Sequence, residues 1–137
     1  MCLPLLDSPE YWHHNWRILP DLVLQTLRTI AAAPTGILVH CSAGRDRTGM
    51  IATLLLSNAG VAPEVIAADY AESVREMAGV QALTGDRQAA WTEREVDAWI
   101  SATAPIVRSV AAEPDVALDA IGADAGLRAR LRAMLTE

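Results

Sequence analysis

Ten residues, 40–49, constrain the fold of this chain more than any other segment, and they read HCSAGRDRTG. A short apolar run precedes them at residues 37–39, and a second apolar run follows at residues 50–56. This order predicts a buried strand, a tight glycine-containing loop and then the N-terminus of a helix. The backbone N–H groups between Cys41 and Arg47 would then converge and form a nest that binds an anion.

The residue types in this loop favour phosphate-ester chemistry. A thiol at the centre of an anion nest has a lowered pKa, so we expect Cys41 to attack phosphorus and to carry the phosphoryl group. The planar guanidinium of Arg47 can bind two equatorial phosphate oxygens, most tightly in the transition state. We expect Thr48 to hydrogen-bond the sulfur and ease its departure, and His40 to orient the loop through backbone hydrogen bonds.

The phosphate itself is predicted to be bound by the residues between the nucleophile and the arginine. They are Ser42, Ala43, Gly44, Arg45, Asp46 and Arg47. Glycine at position 44 lets the backbone turn toward the ligand without a side chain in the way. The competing interpretation is a strand, a turn and a helix around a buried structural cysteine, which is the commoner fate of a single cysteine. The many specified positions in the loop favour the catalytic interpretation.

This segment resembles the signature loop of the cysteine-dependent protein tyrosine phosphatases. It is most similar to a bacterial branch whose loop reads HC-x-AGKDRTG, a branch also similar to some lipid phosphatases. Arg45 replaces the usual lysine, which keeps the charge but changes a point donor into a planar one. The likeness continues in residues 60–73 and 127–132. The resemblance implies a phosphomonoester hydrolase of the tyrosine phosphatase type that works through a cysteinyl-phosphate intermediate, with no metal and no other cofactor.

The substrate implied by the resemblance is a phosphotyrosine protein, but other possibilities stay open. Phosphotyrosine suits a deep cleft in which only a long side chain reaches Cys41, whereas Arg45 could bind a second phosphate and so suit a phosphoinositide or a dual specificity. A domain that could not turn over would be a catalytically weak phosphate-binding module. A thiol redox or arsenate-reducing protein would need a resolving thiol, for which only Cys2 is available.

Hydrolysis of an ester also requires a general acid, and two aspartates are candidates. Asp7 follows a strand-like run and lies on a turn, and members of the resembled family commonly place a mobile acid on a loop at such a distance before the cysteine. Asp46 lies within the loop, and the resembled branch has been linked to use of this position. We favour Asp7, because the acid must approach the leaving group from the side opposite the nucleophile. The alternatives are a turn residue for Asp7 and a loop-fixing ion pair for Asp46.

The predicted fold class is α/β, with a small central parallel sheet of the tyrosine phosphatase type flanked by helices. Only residues 37–41 make a confident strand, and residues 1–6 a possible one, whereas such sheets usually have four strands or more. Phosphatases of the resembled family carry further strands before this point. We therefore expect residues 1–137 to be a single phosphatase-like domain that lacks N-terminal strands, either as the C-terminal portion of a longer domain or as a truly reduced one. A strand without neighbours exposes backbone groups, so we expect marginal stability or self-association through the exposed strand edge.

Helix signals dominate the rest of the chain. We predict helices from Pro20 to about residues 34–36, over residues 48–58, from Pro63 to about Met77 and from a capping box that starts at Thr92. The expected inward-facing residues of the first and third of these helices are Leu22, Val23, Leu27, Ile30, Val65, Ile66, Tyr70 and Val74. Residues 79–90 are predicted to be a loop or a short broken helix. The breaks expected in the last part of the chain are Pro105, Pro114, Gly122 and Gly126.

Composition excludes several functional classes. A net charge of −6 without a basic stripe argues against nucleic-acid binding, and no apolar run is long enough for stable membrane insertion. Two cysteines are too few for a disulfide framework, so a reducing bacterial cytoplasm is the predicted setting. His13 and His14 are adjacent, which seldom brings two rings to one metal, and we expect these rings to cover the core or to form a lip beside the site.

Overall fold

The computed structural model of the protein describes residues 8–84 and 91–136, and the side chains of all of these except residues 80–84. A 3-10 turn at Pro9–Tyr11 leads into the first helix. The helices within the described ranges are α1 (Trp12–Ile18), α2 (Pro20–Ala32), α3 (Asp46–Asn58), α4 (Pro63–Thr84), α5 (Glu93–Ala112), α6 (Pro114–Ala120) and α7 (Ala125–Thr136).

The predicted central parallel sheet is wrong for the described part of the chain, which contains helices and loops but no strand. Residues 37–41, expected to form the strand before the loop, have no regular secondary structure. Leu38 is 83% exposed, so this apolar run is not the buried strand that its composition suggested. A strand is stabilised by hydrogen bonds to a neighbouring strand, and an apolar run alone cannot supply them. Self-association through a strand edge has no basis in the described residues, and residues 1–6 lie outside them.

Helix α3 occupies the middle of the helical array and packs against α4, α5, α6 and α7. Its side chains at Met50, Ile51 and Leu54 are buried in the core. Burying each such side chain contributes about 1.5–3 kcal/mol, which explains why this almost wholly apolar segment forms an interior helix. The helix begins at Asp46, two residues before the predicted start, and the chain turns at Gly60, whose φ of +87° favours glycine.

Helix α2 confirms the predicted amphipathic helix, with proline in its first turn. Val23, Leu27 and Ile30 are buried at the spacing of one helical face. Leu22, which was expected to face inward with them, is 58% exposed, so the buried face is narrower than predicted. Helix α4 likewise begins at Pro63, but it continues to Thr84 instead of ending near Met77. Residues 85–90 of the predicted loop lie outside the described residues.

Helix α4 packs along α5, and together they place aromatic side chains behind the loop. Ile66, Tyr70 and Val74 are buried as predicted, whereas Val65 is exposed. The capping box predicted at Thr92 is confirmed, since its hydroxyl accepts from the Glu95 N–H and the Glu95 carboxylate accepts in return from the Thr92 N–H.

Two predicted breaks are absent from the described helices. Pro105 lies inside α5 instead of ending it. A proline removes one backbone hydrogen bond, and burial of Thr103, Val107 and Ala111 on either side of it holds the two halves of α5 in place. Gly126 lies within the first turn of α7, whereas Gly122, with a φ of +73°, does separate α6 from α7. None of the described helices combines the length and the apolar character needed to cross a membrane.

Candidate active site

The candidate site is built on the short loop that joins residues 37–41 to α3. The backbone N–H of Gly44 donates to the Cys41 Sγ at 3.2 Å, so the loop folds back over the thiol. Gly44 adopts a φ of +69°, a conformation that other residues rarely reach, and this turn directs its N–H inward. The His40 Nδ1 lies 3.2 Å from the carbonyl oxygen of Cys41 and can donate to it when that nitrogen carries the proton. Contacts from the residue before Cys41 and from the residue three positions after it therefore fix the conformation of the loop around the thiol.

The environment of Cys41 favours the thiolate. Burial acts to raise its pKa, but hydrogen bonds from the Thr48 hydroxyl and from the backbone N–H groups of Thr48, Gly44 and Ala43 outweigh it and lower the pKa from 9.0 to about 7. At pH 7 about half of the molecules then carry a thiolate, against about 1% for a thiol of pKa 9. This environment thus favours the reactive form of a cysteine at neutral pH.

Thr48 lies in the first turns of α3 with a buried hydroxyl. Its Oγ1 makes no hydrogen bond of regular geometry with any of the described residues. The group it acts on is the Cys41 sulfur, whose pKa it lowers. A buried hydroxyl without another partner is costly in a folded protein, and such groups are common where a ligand or a reacting atom is to be bound.

Cys41 and Arg47 line one cavity of about 310 Å³. Arg47 belongs to the first turn of α3 and is exposed, so its guanidinium is accessible to an anion. Most of the remaining wall is apolar and comes from the residue before α2, from α2 and α3, and from the segment before the loop: Leu19, Leu22, Val23, Val39, Met50 and Ile51. The cavity combines one cation and one thiol with a large apolar surface, and the N-terminus of α3 adds partial positive charge.

Arg45 and Asp46 point into the protein on the other side of the loop. Arg45 is 9% exposed, and its Nε donates to the Asp46 Oδ2 at 2.9 Å. Its guanidinium carbon lies 5.0 Å from the ring centroid of Trp91 and 5.1 Å from that of Trp99. Arg45 is thus engaged by a carboxylate and two indole rings, which together compensate the burial of its charge.

A buried tyrosine completes this arrangement. The Tyr70 hydroxyl donates to the Asp46 Oδ1 at 3.2 Å and accepts from the Trp99 Nε1 at 3.3 Å. Burial, which is the largest cause, and the Asp46 carboxylate raise the pKa of Tyr70 far above its usual value. The phenol therefore stays protonated and remains a donor to Asp46 at any working pH.

Comparison with known proteins agrees with this geometry. Residues 18–135 match the model of a tyrosine phosphatase family. This chain belongs to that family. It is 44% identical over 66 residues to the triple specificity protein phosphatase PtpB of Mycobacterium tuberculosis, a stretch of 48% of this chain and 24% of that protein. It is 48% identical over 56 residues to a tyrosine-protein phosphatase of Nostoc commune, covering 40% of this chain and 19% of that protein.

The matched stretches thus span less than a quarter of the length of these two curated relatives. No solved structure matches the chain significantly. The resemblance that the sequence suggested is confirmed at the level of the family, whereas the roles of individual residues stay predictions.

In this tyrosine phosphatase family member the predicted site residues that the structure describes divide into three groups. Cys41, Arg47, Thr48 and His40 lie around one cavity. Ser42, Ala43 and Gly44 are exposed on the loop, as residues that receive a ligand would be. Arg45 and Asp46 face away into the protein and do not line that cavity. Asp7 lies outside the described residues.

Sequence reasoning missed the aromatic residues behind the loop. It assigned Tyr70 only to the inward face of its helix and gave Trp91 no role. The chain has six aromatic residues, four tryptophans and two tyrosines, and four of them, Trp12, Tyr70, Trp91 and Trp99, lie in contact around the loop and the start of α3. Their size and their polar groups were the available signal, since aromatic side chains dominate core packing and a buried Tyr or Trp usually finds a hydrogen-bond partner.

Proposed function

We propose that this protein hydrolyses phosphomonoesters, in the manner of a protein tyrosine phosphatase, through a cysteinyl-phosphate intermediate. The observation that carries the proposal is the Cys41 thiol, with a pKa of about 7, in one cavity with the accessible guanidinium of Arg47. Nucleophilic cysteines are distinguished from structural ones by such a lowered pKa and by partial exposure. We expect the reaction to take place in a reducing compartment such as the bacterial cytoplasm, because an oxidised Cys41 cannot attack.

The reaction has two steps. In the first, the Cys41 thiolate attacks phosphorus, the S–P bond forms, the ester P–O bond breaks and the leaving oxygen takes a proton from a general acid. In the second, the conjugate base of that acid takes a proton from water, the water oxygen attacks phosphorus, the S–P bond breaks, inorganic phosphate leaves and the thiolate is restored. Arg47 and the backbone N–H groups of Ala43 and Gly44 stabilise the charge on the equatorial oxygens, and Thr48 stabilises the departing thiolate.

Asp7 and Asp46 are the two candidates for the general acid. Both oxygens of the Asp46 carboxylate have partners, Arg45 and Tyr70, and Asp46 does not line the cavity with Cys41. This supports Asp7 as the proton donor and a loop-fixing role for Asp46. We expect Asp7→Asn to lose turnover mainly on esters with poor leaving groups, while Asp46→Asn loses it equally on all esters. The reverse pattern would assign the acid to Asp46.

For the substrate we propose an ester that presents one phosphate on an aromatic group, as phosphotyrosine does. The cavity of about 310 Å³ has an apolar wall that suits a ring. A phosphoinositide with a second phosphate on Arg45 is disfavoured, because Arg45 is buried against Asp46, Trp91 and Trp99. Rates on a phosphotyrosine peptide and on a short-chain phosphoinositide distinguish the two. Faster release from the phosphoinositide would overturn this assignment.

The decisive experiment is hydrolysis of para-nitrophenyl phosphate in the presence of EDTA. We expect turnover by the wild-type protein and by Cys2→Ser, and none by Cys41→Ser. The Cys2→Ser variant is the matched control, because it makes the same change at the other cysteine of the chain. Loss of activity in Cys2→Ser would favour thiol redox chemistry, which needs a second thiol. Binding of a phosphotyrosine peptide by the folded wild-type protein without release of phosphate would favour a binding module.

A further inference from the structure

The side chain of Tyr70 touches the loop without reaching the cavity. It comes from the middle of α4, yet its hydroxyl donates to Asp46, the first residue of α3. The edge of its ring meets Trp12 at a centroid distance of 5.6 Å and an interplanar angle of 90°. Ring packing would be satisfied equally by phenylalanine, so the hydroxyl needs a separate explanation.

The hydrogen bonds of that hydroxyl form a chain that ends at the loop. The Trp99 Nε1 donates to the Tyr70 hydroxyl, and this hydroxyl donates to Asp46, which also accepts from Arg45. The Trp99 ring also stacks with the Arg45 guanidinium, so the hydrogen bonds and this contact form a closed cycle. Chains of this kind strengthen each member and fix one arrangement of the groups involved.

The two residues held by this chain lie between the groups that act on the thiol. Arg45 and Asp46 follow Gly44, whose N–H donates to the Cys41 sulfur, and precede Thr48, whose hydroxyl and backbone N–H favour the thiolate. Turning the side chains of Arg45 and Asp46 inward therefore sets the direction of the backbone on both sides. Preorganised donors of this kind act on charge without having to reorient during the reaction.

We infer that Tyr70 is a positioning residue for the reaction proposed above, one that acts through Asp46 to hold the loop in the conformation that activates Cys41. It touches neither the substrate nor the sulfur. The inference rests on the proposed function for its catalytic consequence, but its effect on the thiol can be measured without any turnover.

The test is Tyr70→Phe, which keeps the ring and removes only the hydroxyl. We expect kcat/KM to fall about tenfold, and the pH midpoint for alkylation of Cys41 by iodoacetamide to rise from about 7 toward 9. Two control variants separate a specific effect on the Cys41 thiol from a general loss of stability. Tyr11→Phe makes the same change at the other tyrosine, and Val74→Ala removes buried volume from α4 one turn away. Both should keep the wild-type alkylation midpoint, the second despite a lower melting temperature.

A double variant shows whether Tyr70 acts through Asp46. In an Asp46→Ala background, the effect of Tyr70→Phe should shrink to about twofold or less, since the acceptor of the hydroxyl's hydrogen bond has been removed. A wild-type alkylation midpoint and rate in Tyr70→Phe would overturn the inference, as would an undiminished tenfold effect in the Asp46→Ala background. If the wild-type protein released no phosphate, the proposed function would fail, and the alkylation midpoints would still decide the role of Tyr70.

Discussion

Gly49 lies so close to Tyr70 that a Cβ added to it would come within 3.0 Å of the Tyr70 Cδ2. The same atom would lie 3.4 Å from the Trp12 ring. Both rings are buried, and Tyr70 is also held by its hydrogen bonds, so neither can move away freely. The start of α3, which carries Arg47 and Thr48, can approach the aromatic residues this closely only with glycine at this position.

We expect Gly49→Ala to lower the free energy of unfolding by about 1–2 kcal/mol. Overpacking of a buried contact costs about 1–3 kcal/mol, and the better helix propensity of alanine offsets part of it. Gly79→Ala is the matched control, because Gly79 lies in α4 with nothing within 4 Å of its added Cβ, and this change should stabilise the protein. Urea denaturation of both variants measures the difference. Equal stabilities for the two would contradict the close contact.

The pH dependence of Cys41 reactivity should follow its Thr48 partner. A hydrogen bond to a thiolate that contributes about 1 kcal/mol lowers the thiol pKa by somewhat less than one unit, so Thr48→Ala should raise the alkylation midpoint by about that much from its value of about 7. The thiolate is populated above the midpoint, so the variant reacts more slowly between pH 6 and about 8 and equally fast at high pH. Thr53 is a buried threonine of the same helix, and Thr53→Ala should leave the alkylation midpoint of Cys41 unchanged.

Replacing Arg47 should lower activity, whereas replacing Arg45 should lower stability. Arg47 is exposed in the cavity, so Arg47→Ala should lower kcat/KM by about 10²–10³ and weaken inhibition by inorganic phosphate, with little change in melting temperature. Arg45 is buried against Asp46 and two tryptophans, so Arg45→Ala should cost about 3 kcal/mol of stability. Thermal melts and phosphate inhibition of both variants distinguish these roles. A stable Arg45→Ala protein with weakened phosphate binding would contradict the structure.

Arg128 connects α7 to α6 and to the turn between them, and most of this stabilisation should come from its contact with the backbone. Its Nε donates to the Ala123 carbonyl at 2.8 Å, and its terminal nitrogens bind Asp115 and Asp119. We expect Arg128→Ala to cost about 1–2 kcal/mol. Asp115→Asn should change stability by less than about 0.5 kcal/mol, since its carboxylate is largely exposed. Arg130→Ala, at an exposed position on the same helix, is the neutral control; denaturant unfolding measures all three.

Short sequence patterns predicted the starts of helices correctly where a residue type favours one position in a helix. Pro20 and Pro63 begin helices because the first turn does not need the N–H that proline lacks, and the Thr92 capping box satisfies free N–H groups within four residues. The same signals failed where packing decides the outcome. Pro105 lies inside α5 because buried side chains on both sides offset one lost hydrogen bond. An apolar run at residues 37–39 did not become a strand in the described part of the chain, because a strand depends on a neighbour.

The sequence by itself determined the membership of the family and the residues that the loop brings together, because Cys41, Arg47 and Thr48 lie within eight residues and a tight turn places them around one cavity. Only the tertiary structure decided that Arg45 and Asp46 turn away from the cavity, and which side chains contact them in the interior. Tyr70 is 24 positions from Asp46, and Trp99 is 29 positions beyond Tyr70. No local periodicity relates such positions; they meet because α3, α4 and α5 pack together, and the burial of a charged pair then requires partners from all three.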